Sequence, residues 1–256
     1  MKRLLEDWEY NVLGIYNYTK PGPFSPYFDF IIENHEHIHG DIGEVGVYRG
    51  SSLLATAMLL KELGSDKRVW GYDSFSGFPV YHPNDDLAMF ETLYQQGVID
   101  ADLYRKSQLN IEYRSLASHT KQLDATNISS SGDFSNTNLE TLQAKIAYLE
   151  LDNVELVVGN FQDTMNTQHH QAAVSFCAVL LDCDLYDSYR IALPFVWDRL
   201  SRGGYMFIDE YYSLKFPGAR IACNEFFMDR KDKPQQHRPI ARDFQRWFVR
   251  KIFSYE

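Results

Sequence analysis

The run DIGEVGVYRGSSLLATAMLLKELGSDKRVWGYD, residues 41–73, decides how the chain folds. Residues 41–48 alternate apolar with polar or small side chains, the period of a strand. Gly50-Ser51-Ser52 then opens an apolar helical stretch, and Gly64 stands where a helix ends on a left-handed residue. RVWGYD is a second strand, closing on Asp73 and the breaker cluster Ser74 to Pro79. Strand, helix and strand in so short a span make a βαβ unit, whose two strands are parallel.

Working outward, the same alternation resumes near the C-terminal half. VELVVG (154–159) reads as a strand, and AVSFCAVLLD (173–182) as the unbroken apolar run of a buried parallel strand. A helix from Ser188 to Leu200 follows; Gly203-Gly204 then leads into the strand YMFIDEYY. A helix over 218–229 and a last strand, QRWFVRKIF (245–253), complete the pattern. Strands alternating with helices predict an α/β fold: a doubly wound, Rossmann-like, mostly parallel sheet.

No repeat and no second core stand out, so residues 1–256 read as a single domain with two additions. Residues 1–39 form an N-terminal leader with a helical start and a breaker-rich stretch, Pro21 to Pro26. Residues 80–150 break the rhythm, with helical patterns at about 86–96, 100–117 and 139–149 and a polar run from Thr126 to Asn138. An interval this long is not structureless in a compact domain. It reads as a helical lid that chooses the substrate.

Composition narrows the partners. The chain is 45% hydrophobic and 15% aromatic, enough for a sizeable core. Its formal charge is −10, from 35 acidic against 25 basic residues. That balance argues against nucleic acid and against an anionic membrane surface, both of which draw on clustered Lys and Arg. Three cysteines without a C-x-x-C pair suit a reducing compartment, and no apolar run reaches the ~18 residues of a membrane span. The expected setting is cytoplasmic, with a small-molecule substrate; the early aromatics (Tyr10, Tyr16, Tyr18, Phe24, Tyr27 and Phe28) pack in the core, line a substrate mouth or form a homo-oligomer interface.

On a doubly wound sheet, ligands bind beyond the carboxyl ends of the strands. The turn Glu44-Val-Gly46-Val-Tyr48-Arg-Gly50-Ser51-Ser52 lies at one such end. It lacks the G-x-G-x-x-G spacing, which weakens a nicotinamide-dependent oxidoreductase reading. A glutamate there suits a cofactor with an amino-acid tail, and Asp73 is placed to hold a ribose. Either feature alone is as easily a tight turn or a loop cap; together they favour an adenosine-type ligand.

The acidic strand ends are sharper. Leu181-Asp182-Cys183-Asp184 and Ile208-Asp209-Glu210 each end an apolar strand, and those strands should be neighbours. Four converging carboxylates would repel one another unless a hard divalent cation offsets them, and all-oxygen ligation suits Mg2+, with calcium or manganese as competitors. The plainer alternative makes Asp184 and Asp187 helix caps and Asp209 and Glu210 solvated loop acids; for Asp187 the cap fits better. His35-Glu36-His37-Ile38-His39 resembles a metal tract but precedes the first strand, away from the ligand end, and His169-His170 read as solvated.

In these segments the sequence resembles the class I S-adenosylmethionine-dependent methyltransferases, and among them the macrocin O-methyltransferase family. The matching pieces are GEVGVYRGSS, GYDSFSGFP, VVGNFQDT, LDCDLYDS, GGYMFIDEYY and GARIACNEFF, in family order from about residue 43 to 227. The resemblance implies that Glu44, Gly46, Tyr48, Gly50 and Ser52 line the methionine side of S-adenosylmethionine, that Asp73 holds its ribose, and that Asn160, Phe161 and Gln162 flank the adenine. It implies Asp182, also beside the cofactor, as general base and Asp184, Asp209 and Glu210 as metal ligands. The family usually shows two aspartates where this chain has Asp209-Glu210. The function implied is metal-dependent O-methylation of a sugar or glycosylated metabolite. The competing readings are a catechol-type or phosphate-type acceptor, and a non-catalytic cofactor-binding protein.

Overall fold

The computed structural model describes residues 1–118, 122–166, 174–238 and 244–253. Its elements run α1 (Asp7–Leu13), α2 (Ser25–Asn34), β1 (Asp41–Val45), α3 (Ser51–Glu62), β2 (Val69–Asp73), α4 (Met89–Gln95), α5 (Ala101–Ser118), α6 (Leu139–Tyr148), β3 (Val154–Val158), α7 (Phe161–Thr164), β4 (Phe176–Leu181), α8 (Tyr186–Arg199), β5 (Leu200–Ile208), α9 (Pro217–Phe227), β6 (Gln235–Gln236) and β7 (Trp247–Arg250). The strands form one seven-stranded sheet in the order β3-β2-β1-β4-β5-β7-β6. The first five are parallel, while β7 pairs antiparallel with β5 and β6. The sheet is thus doubly wound and mostly parallel.

Strand order reverses between β1 and β4, and there the connecting helices go to opposite faces and leave a crevice. The register aligns Val45 with Leu181 and Leu181 with Ile208. It also aligns Asp73 with Val158. Gly46, Asp73, Asp182 and Asp209 therefore emerge at the same edge.

All six residues of β4 are buried, as expected of a strand covered on both faces. Cys177 and Leu180 join the core packed against α2 and α3, and Phe176, Val179 and Leu181 join the core packed against α8 and α9. Each large apolar side chain buried this way contributes roughly 1.5–3 kcal/mol. A third cluster lies under the insertion: Leu87, Phe90, Leu93, Ile99, Leu103 and Ile128 pack on Leu185, Tyr212 and Phe216.

The structure departs from the sequence reading at several boundaries. The breaker-rich leader contains a real helix, α2, with Pro26 in its first turn, where a missing N–H costs nothing. Tyr27, Phe28 and Ile31 of that helix are core residues. The helix stops at Asn34, and His35 and His39 sit beside Asp41, at the opposite end of β1 from the crevice. α8 starts at Tyr186, two residues before Ser188, and Asp187 lies in its first turn paired with Arg190 at 2.9 Å rather than at the cap. β5 begins at Leu200 and stops at Ile208, so Asp209–Tyr211 is a 3-10 turn instead of strand. His169 and His170 lie outside the described residues. Among the described residues no helix is long and apolar enough to cross a membrane.

Candidate active site

The crevice at the reversal point is a cleft walled by the β1–α3 turn, the ends of β2, β3 and β4, and two additions. Of the residues singled out from sequence, Gly46, Tyr48, Ser52, Asp73, Asn160, Phe161, Asp182 and Asp184 line it. Gly46 has φ +89°, and a Cβ there would lie 1.9 Å from the Asp182 carbonyl oxygen. Only a hydrogen at this position lets the first turn lie directly on the end of β4.

Asp73 organises this turn. One of its oxygens accepts the N–H groups of Val47 and Tyr48 at 2.7 and 2.8 Å, and the other accepts that of Phe75 at 2.6 Å. A carboxylate has about four acceptor positions, so one direction stays open for a ligand hydroxyl. Glu44 does not reach the cleft. It is fully buried behind the wall, where one oxygen accepts the Ser52 hydroxyl at 2.8 Å and the other has no partner among the described residues. Burial pushes its carboxyl up to about 8. Gly50 caps α3 against Leu142, and Gln162 is exposed on α7; neither lines the cleft.

The acidic strand ends converge in part. Oxygens of Asp182, Asp184 and Glu210 lie within 4.8 Å of one another. Asp209 is not in that group: it faces Arg246, 3.8 Å away, on the segment leading into β7. The Tyr189 hydroxyl donates to Leu181 O at 3.0 Å and accepts from Glu210 N–H at 3.4 Å, tying the ends of β4 and β5 together. One oxygen of Glu210 is buried without a hydrogen-bond partner among the described residues. Burial first, and then neighbouring carboxylates, push Asp182 and Glu210 well above the ordinary range. Burial raises Asp184 to about 7, with the Lys215 ammonium pulling the other way. Crowded, desolvated oxygens with an orphan among them fit a hard divalent cation, which would supply the missing charge and ligand bonds.

Backbone strain gathers here as well. Five described non-glycine residues have positive φ, and Tyr48, Asp184 and Phe134 among them line the cleft. Such strain persists where surrounding structure over-determines it, commonly at functional sites. Phe134 belongs to the polar run of the insertion and packs on Phe78 and Tyr48 at 4.9 and 5.1 Å. Asn136 beside it accepts from the Tyr48 hydroxyl at 2.5 Å and, through its carbonyl, from Arg49 at 3.0 and 3.1 Å. Phe24, from the leader, also lines the cleft. Phe24 is one of the early aromatics that the sequence offers for a substrate mouth, whereas sequence reasoning missed Phe78 and Phe134 as lining residues. The one available signal was an isolated aromatic inside the polar run Ser-Gly-Asp-Phe134-Ser-Asn.

These raised carboxyls set a pH dependence. A carboxyl whose pKa rises on folding holds its proton more tightly folded than unfolded, so its stabilisation is full below the unfolded pKa and is lost as pH rises through the folded one. For Asp184 and Glu44 the window runs from 3.8 and 4.5 up to about 7 and about 8. With a chelator present, the melting temperature should fall steadily across that window and level off above it. A melting temperature that rises over the same range would show that the cluster is already ionised and compensated.

Comparison with known proteins agrees with this geometry. The sequence profile of the macrocin-O-methyltransferase (TylF) family matches residues 31–108 and 89–242. The mycinamicin III 3''-O-methyltransferase of Micromonospora griseorubida is 30% identical over 193 residues, which is 74% of this chain and 61% of that protein. The 8-demethyl-8-(2,3-dimethoxy-alpha-L-rhamnosyl)-tetracenomycin-C 4'-O-methyltransferase of Streptomyces olivaceus is 31% identical over 176 residues, 68% of this chain and 54% of that protein. This chain therefore spans less than two thirds of the length of these relatives. Among solved structures, that of the O-methyltransferase NovP superposes with a TM-score of 0.58 at 19% identity, over 89% of this chain and 80% of that one, a likeness of fold. With the profile covering both the glycine turn and the acidic strand ends, the chain belongs to the macrocin-O-methyltransferase family.

Proposed function

We propose that this chain transfers a methyl group from S-adenosylmethionine to a hydroxyl of a sugar-bearing small molecule, beside a divalent cation, with Mg2+ the best fit. The observation that carries the reading is the acidic triad, whose oxygens lie within 4.8 Å of one another beside a cleft that Asp182 and Asp184 line. The sugar is taken from the Streptomyces olivaceus relative above, whose name places its methyl group on a rhamnosyl-bearing molecule.

Each part of the wall has a task in this reading. The uncapped first turn of α3, with Ser51 and Ser52 facing the cleft, binds the carboxylate of the cofactor's amino-acid tail. Asp73 takes a ribose hydroxyl with its open acceptor direction, and Asn160 and Phe161 flank the adenine. Phe24, Phe78 and Phe134 keep water from the reacting centre. Such positioning supplies ~7–11 kcal/mol of a two-reactant barrier when the bound pose is close to attack geometry.

When bound, S-adenosylmethionine would supply the methyl group, and a divalent cation would make a neighbouring hydroxyl more acidic. Asp182, Asp184 and Glu210 would hold the cation, with Asp209 held outside them by Arg246. The acceptor proton passes to an aspartate just past the end of β4. The sequence reading gives that task to Asp182; the left-handed Asp184, on the same wall, has an equal geometric claim.

The test is methyl-labelled cofactor incubated with glycosides, catechols and phosphate-bearing alcohols, each with Mg2+ or with a chelator, and read by product mass. A glycoside should gain one methyl group with Mg2+ and none with the chelator. Methylation confined to catechols or phosphate-bearing alcohols would replace the acceptor class. Cofactor binding without methylation of any acceptor would favour a non-catalytic binding protein.

A further inference from the structure

Asp85 is a fully buried carboxylate that the proposed methyl transfer leaves unused. It belongs to the insertion, in the 3-10 turn Pro83–Asp85, yet it is 0% exposed. One oxygen accepts the Tyr186 N–H at 2.8 Å, and the other accepts the His82 N–H at 3.0 Å. Tyr186 is the first residue of α8, whose own N-cap, Leu185, offers no side-chain bond. Asp85 thus does, from 101 residues away, what a capping side chain does locally, and it places its charge at the positive end of the helix.

The neighbouring elements are built around this carboxylate. At Gly218, in the first turn of α9, a Cβ would lie 2.1 Å from Asp85 Oδ1 and 2.8 Å from Tyr186 Cβ. The His82 ring stacks on Tyr186 at 4.4 Å, and the Tyr186 hydroxyl donates to Glu225 of α9 at 2.7 Å. The insertion is therefore pinned where α8 and α9 begin.

The pin lies next to the acidic triad. Asp184 is two residues before Tyr186 and is held at φ +58°. In the same turn the Leu185 N–H donates to Cys183 O at 2.7 Å, and the next N–H along is the one that Asp85 takes. A strained non-glycine residue keeps its conformation only while its surroundings hold it there.

We propose that Asp85 is a positioning residue for the ion site: by gripping the Tyr186 N–H it holds the Asp182–Leu185 turn, so that docking of the insertion and alignment of Asp184 are a single event. The inference rests on the ion-site reading given above. It makes the segment expected to choose the acceptor also the segment that completes the carboxylate triad.

The experiment uses the full chain saturated with S-adenosylhomocysteine, with Mn2+ as the probe ion. Asp85→Ala should weaken Mn2+ by about 10–100-fold, the usual cost of removing a group that orients metal ligands, and leave S-adenosylhomocysteine affinity unchanged. It should also speed hydrogen exchange at the amides of residues 184–189. Gly218→Ala, which keeps the carboxylate but displaces it, should do the same. Asp85→Asn, which keeps an oxygen for the Tyr186 N–H, should recover most of the Mn2+ affinity, and these two variants carry the test if Asp85→Ala does not fold. Faster exchange confined to residues 83–100, with Mn2+ affinity and the 184–189 amides unchanged, would overturn the proposal and leave Asp85 an anchor only. If the unmutated chain binds no Mn2+, the ion-site reading fails; unchanged exchange at 184–189 in the variants would then separately refute the grip.

Discussion

Asp182→Asn and Asp184→Asn should each lower turnover by at least ~10²-fold, the lower end of what general acid–base catalysis contributes, while S-adenosylhomocysteine affinity stays near that of the unmutated chain. Both side chains end β4 and line the cleft, but the groups expected to bind the cofactor tail and ribose lie on β1, α3 and β2. Both carboxylates belong to the triad, so each variant should weaken the ion, and the two differ in what excess Mg2+ restores. Asparagine keeps a neutral oxygen but cannot take a proton, so the variant of a ligand alone regains turnover as Mg2+ is raised, and the variant of the proton acceptor does not. Turnover against Mg2+ concentration, with cofactor binding by calorimetry, gives the assignment. Loss of cofactor binding in parallel with turnover would place the residue in the cofactor pocket instead.

Gly46→Ala should be the most damaging single methyl group in the chain. Its Cβ would meet the carbonyl oxygen, carbonyl carbon and next Cα of the Asp182–Cys183 segment at 1.9, 2.7 and 3.2 Å, all of them backbone atoms with no side-chain freedom to yield. Left-handed strain of ~1–2 kcal/mol adds to overpacking of ~1–3 kcal/mol, so a loss of about 2–5 kcal/mol is expected. Cofactor binding should fall with it, because the β1–α3 turn must move off β4. Gly64→Ala is the control: φ is +66° there, but nothing lies within 4 Å of the added Cβ, so only the dihedral cost applies. Urea denaturation of both variants reads the difference. Equal stabilities would mean that the close approach of β1 and β4 is unimportant.

Much of the architecture was legible because local and global signals coincide. The 41–73 unit carries alternation, a helix-opening turn and a terminal glycine, and β1, α3 and β2 form where those signals lie. Boundaries failed where tertiary pairing overrides local chemistry. The sequence puts Leu200 at a helix end and starts the strand after Gly203-Gly204, yet Leu200 pairs with Phe176 and Gly203 bonds to Lys251, which extends β5 backwards. Pro26 reads as a breaker but serves as a helix start.

The site shows the same division. An acid after an apolar strand is a local signal, and the three residues of the triad were all named from it. Which way adjacent acids point is not local: a 3-10 turn sends Glu210 inward and Asp209 toward Arg246, 37 positions along the chain. Depth along the chain likewise separates Glu44, still inside β1 and buried behind the wall, from Gly46, just past the end of the strand, which reaches the cleft. Asp85 carried no signal, because its defining partners, Tyr186 and Gly218, are distant in sequence.

The central claim is that one cleft holds both the methyl donor and a divalent cation. Calorimetry of S-adenosylhomocysteine binding, first with a chelator and then with saturating Mg2+, tests it most directly, followed by titration of Mg2+ into the loaded chain. The expected result is cofactor binding in both conditions and a saturable Mg2+ isotherm that Glu210→Gln weakens. No S-adenosylhomocysteine binding in either condition would contradict the methyltransferase reading; binding with no Mg2+ isotherm would contradict the ion site while leaving the cofactor cleft in place.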